Sequence, residues 1–281
     1  MYKRVIEGVR ATFRRRHPIA DGRGTLVLIG GAEDRSRSGQ VMSRLVEIAR
    51  PKSVAVIPTA TSQPSELGRE YRNAFVDLGV GEVTVLQVQH PDQADRQENL
   101  QAVEEAELIF FTGGNQFKLV EALKGTALLD RVFKKYHEGA TIAGTSAGAA
   151  SAGEFMIANG DNHGLDKGSV RCEKGFGFLE KTVVDTHFVE RGRIHRLAQV
   201  LSSGIVRRGI GLAEDTAVVV HAGASFDVIG AGFVTVLNSE ALSFSNYDQV
   251  GDRERLAVDG IRVGFLPPGV SFDLTAWSIT S

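Results

Sequence analysis

The clearest chemical signal in the sequence is the run Gly144-Thr145-Ser146-Ala147-Gly148, in which a serine stands between two glycines. The buried-type run TIAG precedes this element, and small residues follow it. A tight turn between a strand and a helix lifts its central hydroxyl above the sheet, and flanking glycines leave room for that turn. The pattern predicts a nucleophile elbow at Ser146. The structural alternative is a glycine-rich helix start that Ser146 merely caps.

A histidine base is required because a serine hydroxyl is too weakly acidic to attack unaided. Of the seven histidines, His187 is the best placed, since it follows the predicted strand TVVD. Ligands of open α/β sheets collect outside the carboxyl ends of the strands. The other histidines lie in polar segments, in a glycine-rich loop, within a helix or at a strand end. His187 is therefore the candidate base, and a structural histidine after a strand is the alternative.

A carboxylate must orient the imidazole, and the residues alone leave its identity open. The turn in GIGLAEDTAVVV places Glu214 and Asp215 between two short strands, from which a carboxylate can reach the ring. Asp185 is the rival, because a residue two positions before His187 in a strand shares its face. A simple polar hairpin turn is the structural interpretation of Glu214 and Asp215.

An acyl-transfer site also needs backbone donors for the oxyanion. The amide of Ala147 follows the predicted nucleophile. The turn after the run LIFF contains Gly113 and Gly114, whose bare backbone permits close approach of a carbonyl. Phosphate binding is the alternative for this turn, but it fits neither G-x-G-x-x-G nor G-x-x-x-x-G-K-[ST].

Three arginines follow His187 on a predicted helix start: Arg191, Arg193 and Arg196. Guanidinium groups bind carboxylates in a bidentate manner that lysine cannot reproduce. The cluster predicts a site for substrate carboxylates. A solvated helix face is the alternative.

The elements that position these residues alternate between short β-branched runs and helical stretches, which is typical of βαβ units. Strands are predicted at 25–30, 53–58, 82–88, 107–113 and 140–145, and closely spaced strands without helices follow residue 205. We predict an α/β fold with a mostly parallel central sheet flanked by helices. Without a linker, residues 24–281 read as a single domain whose part 223–281 is β-rich.

Composition excludes several classes of protein. The chain has 281 residues, of which 42% are hydrophobic and 23% charged, so it is neither disordered nor fibrous. A net charge of -2 gives no general attraction to nucleic acid or anionic lipid. No stretch approaches the ~18 apolar residues that span a membrane. The single cysteine, Cys172, excludes an intrachain disulfide and favours a cytoplasmic location.

Residues 1–23 form a predicted basic N-terminal extension, because their lysines and arginines outnumber Glu7 and Asp21. Charges interrupt its apolar positions, so it lacks the core of a secretory signal. A second segment, 157–175, is rich in turn formers, and we predict that it is a loop that covers the site as a lid.

Taken together, these motifs resemble those of the cyanophycinases, a serine peptidase family that also contains the aspartyl dipeptidase called dipeptidase E. The resemblance covers most of residues 24–222 and rests on six motifs in the family's order. They are LVLIGGAEDR, VIPTATSQP, FFTGGNQFKL, GTSAGAASAG, DTHFVERGRIHRL and GIGLAEDTAVVV.

The resemblance implies Ser146 as nucleophile, His187 as general base and then acid, and Glu214 as the residue that orients the imidazole. It implies a flavodoxin-like sheet related to that of class I glutamine amidotransferases, where a cysteine occupies the elbow. The implied activity is that of a serine-type exopeptidase that cleaves cyanophycin, an arginine-substituted poly-aspartate, into β-aspartyl-arginine dipeptides through an acyl-enzyme. It also implies a homodimer, and we expect neither a cofactor nor a metal.

The family's substrate-contacting positions match Gln116, Asp185, Arg191, Arg193 and Arg196. Thr186 departs from the family's D-Q-H-F motif, because it replaces a glutamine whose amide could bond the substrate. Polymer length, register or side-chain preference can therefore differ. The alternative within the family is an aspartyl or isoaspartyl dipeptidase with the same triad. Outside it stand a metal-dependent hydrolase that uses Asp185 and His187, and a non-catalytic binding protein.

Overall fold

The computed structural model describes residues 24–160, 164–222 and 224–280. The predicted basic extension lies outside the described residues. The first half of the described chain forms β1 (Thr25–Ile29), α1 (Gln40–Ala49), β2 (Ser53–Ile57), α2 (Pro64–Asp77), β3 (Glu82–Val85), α3 (Pro91–Ala94), α4 (Gln97–Glu105), β4 (Leu108–Phe111), α5 (Gln116–Leu123), α6 (Ala127–His137), β5 (Thr141–Thr145) and α7 (Ala147–Ala150).

The second half has one helix among its described residues. Its elements are β6 (Gly153–Gly160), β7 (Val170–Lys174), β8 (Leu179–Asp185), α8 (Ile194–Ser202), β9 (Arg208–Leu212), β10 (Thr216–His221), β11 (Ser225–Gly230), β12 (Val234–Asn238), β13 (Phe244–Ser245), β14 (Val258–Asp259), β15 (Arg262–Leu266), β16 (Ser271–Asp273) and β17 (Ser278–Thr280). The α/β class is thereby confirmed. Within the described ranges, the helices are all too short or too polar to cross a bilayer.

The main sheet has nine strands in the order β17-β16-β11-β10-β1-β5-β4-β2-β3. Five neighbouring strands of this sheet are parallel, as predicted: β1, β5, β4, β2 and β3. The remaining pairings, from β1–β10 to β16–β17, are antiparallel. The sheet is therefore more mixed than the sequence predicted. A short connection such as that between β10 and β11 allows only antiparallel pairing, whereas parallel pairing needs a crossover.

A second sheet of six strands, in the order β15-β12-β9-β8-β6-β7, was not predicted. The segment 157–175, predicted as a loop, is largely the antiparallel hairpin of β6 and β7. Its turn formers Asn159 and Gly160 lie at the end of β6, where a hairpin needs them. Most of the β-rich C-terminal part joins the two sheets, since β11, β16 and β17 belong to the main sheet and β12 and β15 to the second, while β13 and β14 form a separate two-stranded sheet.

The core follows from the two-residue period of the strands. Leu26 and Leu28 of β1 face a cluster that reaches α4, α6 and the inner face of the second sheet. Val27 and Ile29 point the opposite way, into a cluster with α1 and α2. A third cluster joins α8 to the outer face of the second sheet. The two sheets bring the carboxyl ends of β5, β8 and β9 together, and the predicted site residues Ser146, His187 and Glu214 lie just after these strands.

Candidate active site

Ser146 occupies the turn between β5 and α7, as the sequence predicted. Its backbone has φ 50 and ψ −106, a left-handed conformation that costs a non-glycine residue roughly 1–3 kcal/mol. A Cβ at Gly144 would collide with the backbone of Gly148, so the turn accepts no larger residue there. The Ser146 amide donates to the carbonyl of Ile29 at 3.0 Å. The elbow is therefore held from β1.

His187 connects the other two members of the predicted triad. Its Nε2 lies 2.9 Å from Ser146 Oγ, and its Nδ1 lies 2.6 Å from Glu214 Oε1. An ionised carboxylate only accepts hydrogen bonds, so Nδ1 carries the proton and Nε2 is left to accept from the serine hydroxyl. The imidazole is mostly buried, whereas Glu214 is partly exposed. The three groups have the connectivity of a nucleophile, a base and an orienting acid.

Asp215, the neighbour of Glu214, does not share this role. Its Oδ1 accepts from the amide of Asp34 at 3.3 Å, and its own amide donates to the carbonyl of Gly31 at 2.9 Å. Of the three carboxylates that the residues alone had left open, Glu214 is the one that contacts His187 Nδ1.

The loop after β1 positions the site, and the sequence analysis missed its role. The carbonyl of Gly30 accepts from the amide of His187 at 2.9 Å. The amide of Gly30 donates to the carbonyl of Thr216 at 2.8 Å. Gly31 has φ 100, and a Cβ there would overlap the imidazole ring of His187. These two glycines offer no side chain from which a function could be read. Their place in the motif LVLIGGAEDR was the available signal.

We expect Gly31→Ala to lower kcat by about 100-fold, because the added methyl displaces the imidazole and misplacement by about 1 Å costs that much. The measurement is steady-state hydrolysis by the purified variant. Gly79→Ala is the matched control, since Gly79 has a similar φ of 91 but nothing within 4 Å of its Cβ position. If both variants lost the same factor in kcat, backbone strain would explain the effect, and the proposed clash between the new methyl and the imidazole would be contradicted.

Two backbone donors lie near Ser146. Ala147 is the first residue of α7, a position whose N–H has no partner within its helix. A Cβ built on Gly113 would lie 3.4 Å from the Ser146 Cβ, so this glycine lines the nucleophile. Gly114 packs on the other side, against the carbonyl of Ala60. Of the two predicted glycines, Gly113 is therefore the one beside the nucleophile.

A polar groove continues from this turn. It has a volume of about 430 Å³, and its lining includes Gly114, Gln116, Phe117, Asn159 and Arg171. The Gln116 Nε2 donates to the carbonyl of Ile157 at 2.5 Å, which ties α5 to β6. The Arg171 guanidinium lies 5.5 Å from the centre of the Phe117 ring. The groove therefore has a cation and an aromatic face beside Gly114.

Asp185, which the resemblance implies as a substrate contact, has hydrogen-bond partners within the chain. It is 1% exposed. Arg196 donates to both carboxylate oxygens, with an Nε–Oδ2 distance of 2.6 Å, and Arg193 Nη1 lies 3.3 Å from Oδ1. Arg196 is also buried, at 5% exposure. A buried carboxylate needs such partners because desolvation of a lone charge is costly.

The other predicted substrate residues differ in accessibility. Arg191 is exposed, and Arg193 is partly exposed. Burial lowers the pKa of Arg193 to about 10, Asp185 opposes this shift, and the neighbouring arginines add to it. The guanidinium is still charged at neutral pH. Thr186 is buried, and its backbone takes part in the cluster, since its carbonyl accepts from Arg193 Nη1 at 2.5 Å.

We expect Arg196→Ala to destabilise the protein by about 3 kcal/mol, because it removes the main partner of a buried carboxylate. Chemical denaturation monitored by circular dichroism measures the change. Arg191→Ala is the control, and exposed substitutions usually stay within about 0.5 kcal/mol of the parent. An Arg196→Ala variant as stable as the control would mean that Asp185 is satisfied without Arg196.

The metal-dependent alternative and the lone cysteine both concern chemistry other than that of the triad. Asp185 and His187 point into separate networks, and the described residues contain no group of three or more side chains arranged to hold a metal ion. Burial raises the pKa of the Cys172 thiol to about 12, so the thiol is protonated and unreactive at neutral pH.

A serine at an elbow, bonded to a histidine that is bonded to a glutamate, is the arrangement of serine-type hydrolases. The profile of Peptidase family S51 matches residues 26–228, and the chain belongs to this family. It is therefore a peptidase by family.

Known proteins match this chain over part or most of its length. A cyanophycinase of Synechococcus elongatus is 35% identical over 262 residues, which are 92% of this chain and 81% of the relative. A cyanophycinase of Geminocystis herdmanii is 34% identical and covers 88% of this chain and 92% of the relative. Peptidase E of Haemophilus influenzae is 32% identical over 115 residues, 40% of this chain and 49% of the relative.

The fold is also shared with a solved structure, a peptidase from an acI-B1 Actinobacterium. The TM-score is 0.68 at 21% identity, and the match covers 90% of this chain and 99% of that one. At this identity the similarity concerns the fold alone.

Proposed function

We propose that this peptidase is a serine-type exopeptidase that hydrolyses cyanophycin to β-aspartyl-arginine dipeptides through an acyl-enzyme. The observation that carries the proposal is the hydrogen-bonded chain from Ser146 through His187 to Glu214. The substrate is suggested by cyanophycinase relatives that match about nine-tenths of the chain.

In the proposed acylation step, Ser146 Oγ attacks the scissile carbonyl carbon while its proton passes to His187 Nε2. Glu214 stabilises the imidazolium through its bond to Nδ1. The oxyanion accepts hydrogen bonds from the amides of Ala147 and Gly113. The C–N bond then breaks, and His187 returns the proton to the leaving amine.

In the proposed deacylation step, a water molecule replaces the amine product. His187 Nε2 takes a proton from this water, and the hydroxide oxygen attacks the ester carbon. The ester C–O bond breaks, and the imidazolium protonates Ser146 Oγ. The enzyme then regains its starting protonation.

For recognition, we assign substrate carboxylates to the accessible arginines of the cluster. Arg191 is exposed and Arg193 is partly exposed, so both can take a carboxylate. Arg193 donates to the buried Asp185, which is held in turn by Arg196. The groove with Arg171 is the proposed path of the polymer. The Gln116 side chain donates to Ile157 through Nε2, and we assign its side-chain oxygen to the substrate.

We extend the proposal to domain, assembly and location. Residues 24–281 act as one catalytic domain, which is supported by a triad that combines β5 of the main sheet with β8 and β9 of the second. The chain works as a homodimer, as its family resemblance implies, and it works in the cytoplasm, which its single cysteine favours.

The test is mass-resolved product analysis with cyanophycin and with free α- and β-aspartyl dipeptides. Wild-type protein and Ser146→Ala are compared. Release of β-aspartyl-arginine from the polymer by the wild type alone supports the proposal. Cleavage of dipeptides with intact polymer would instead assign a dipeptidase, and the absence of any Ser146-dependent product would overturn the catalytic role.

A further inference from the structure

A buried carboxylate lies beneath the elbow and has no part in the triad. Glu33 is 5% exposed. Its Oε2 accepts from Thr145 Oγ1 at 2.6 Å, and its Oε1 accepts from the hydroxyl of Tyr71. Thr145, the residue directly before Ser146, is itself buried. Glu33 therefore contacts the nucleophile's neighbour by a charge-assisted bond.

The opposite side of Glu33 is fixed by α2. Burial raises the pKa of Tyr71 well above its usual value, and the nearby Glu33 adds to this shift, so the phenol remains a donor. The Arg35 guanidinium lies 4.6 Å from the centre of the Tyr71 ring and is bonded to Glu70. These contacts hold the carboxylate in one place.

The elbow needs such support because of its backbone. A left-handed serine persists only where the surrounding structure over-determines it. Main-chain pairing with β1 holds the backbone here, since Thr145 lies opposite Ile29 in the parallel ladder and the Ser146 amide donates to the Ile29 carbonyl. The bond from Thr145 Oγ1 to Glu33 adds a second restraint, which acts on the Thr145 side chain. Glu33 also follows Gly30, which holds His187, so one loop restrains both nucleophile and base.

We propose that Glu33 is a positioning residue: held by Tyr71, it fixes Thr145 and thereby keeps Ser146 Oγ within reach of His187 Nε2. This inference rests on Ser146 being the nucleophile of the proposed function, and it does not depend on which peptide is cleaved.

The experiment uses Glu33→Gln, which preserves shape and weakens the bond, and Thr145→Val, which removes the donor without changing size. Two rates are measured, turnover of the peptide substrate and covalent labelling of Ser146 by a small fluorophosphonate. We expect each variant to lose about 10- to 100-fold in kcat and in labelling rate, with KM changed less than about threefold.

Thr145→Ser restores the hydroxyl and is expected to regain nearly all of the lost rate. The double variant is expected to be no slower than the slower single variant, because both changes break the same contact. Thr141→Val is the matched control, since it makes the same replacement at the other end of β5. A structural role alone would lower the melting temperature without this rescue.

The proposal is overturned if Thr145→Val labels at the wild-type rate, if Thr145→Ser is as slow as Thr145→Val, or if the losses in the double variant multiply. Should Glu33→Gln fail to fold, the three Thr145 and Thr141 variants still decide. Labelling also separates this inference from the proposed substrate. A wild type that labels quickly but leaves cyanophycin intact would refute the substrate and leave the labelling comparison valid.

Discussion

Ser146→Ala is expected to lower kcat for the release of β-aspartyl-arginine by about 10⁶-fold, the order found when a serine nucleophile is removed from a triad. The reason is that His187 Nε2 loses the donor at 2.9 Å, and the neighbouring Thr145 hydroxyl is buried and bonded to Glu33. Quench-flow or long incubation with mass detection measures the residual rate. The oxyanion donors and substrate binding remain, so some acceleration over water persists.

Two control measurements on this variant test whether it still folds and still binds the substrate. Alanine keeps the Cβ of Ser146, so we expect an unchanged circular dichroism spectrum and substrate binding within a few-fold of the wild type. A variant that folds, binds and still turns over within tenfold of the wild type would show that another group attacks the peptide.

Glu214→Gln is expected to lower kcat by about 10⁴-fold while leaving the fold intact. The amide can offer an N–H to Nδ1, and the imidazole then carries its proton on Nε2, the wrong nitrogen to accept from Ser146. The loss therefore comes from the tautomer and from the missing charge beside the imidazolium. Steady-state kinetics across the pH range measure it.

Asp215→Asn is the matched comparison, since Asp215 lies in the same turn but its Oδ1 faces the amide of Asp34. We expect a change of less than tenfold. If Asp215→Asn were as damaging as Glu214→Gln, the orienting role would belong to the turn as a whole and not to the Glu214 carboxylate.

The elbow could be predicted from sequence because its geometry is local. A strand, two glycines and a central serine specify the turn within a few residues, and the structure has β5 and α7 on either side of Ser146. The parallel order of the first strands was equally accessible, since alternating strands and helices permit few other arrangements.

The partners of Asp185 could not be predicted in the same way. A carboxylate near three arginines has the same spacing whether it pairs with them or with a substrate guanidinium, and only burial distinguishes the two. The structure has Asp185 buried against Arg196.

The second sheet was also missed in the sequence. It depends on the pairing of β6 with β8, and β6 contains polar and small residues that resemble those of a loop.

Four non-glycine residues around the site have left-handed backbones: Ala32, Ser146, His187 and Asp215. For protein engineering, this makes the site a place where thermostability and turnover compete. Glycine would relax the backbone at each position, but at Ser146 and His187 it would delete the reacting groups. Selection for heat resistance alone would therefore favour inactive survivors at these two positions, whereas Ala32 can be relaxed without removing a reacting group.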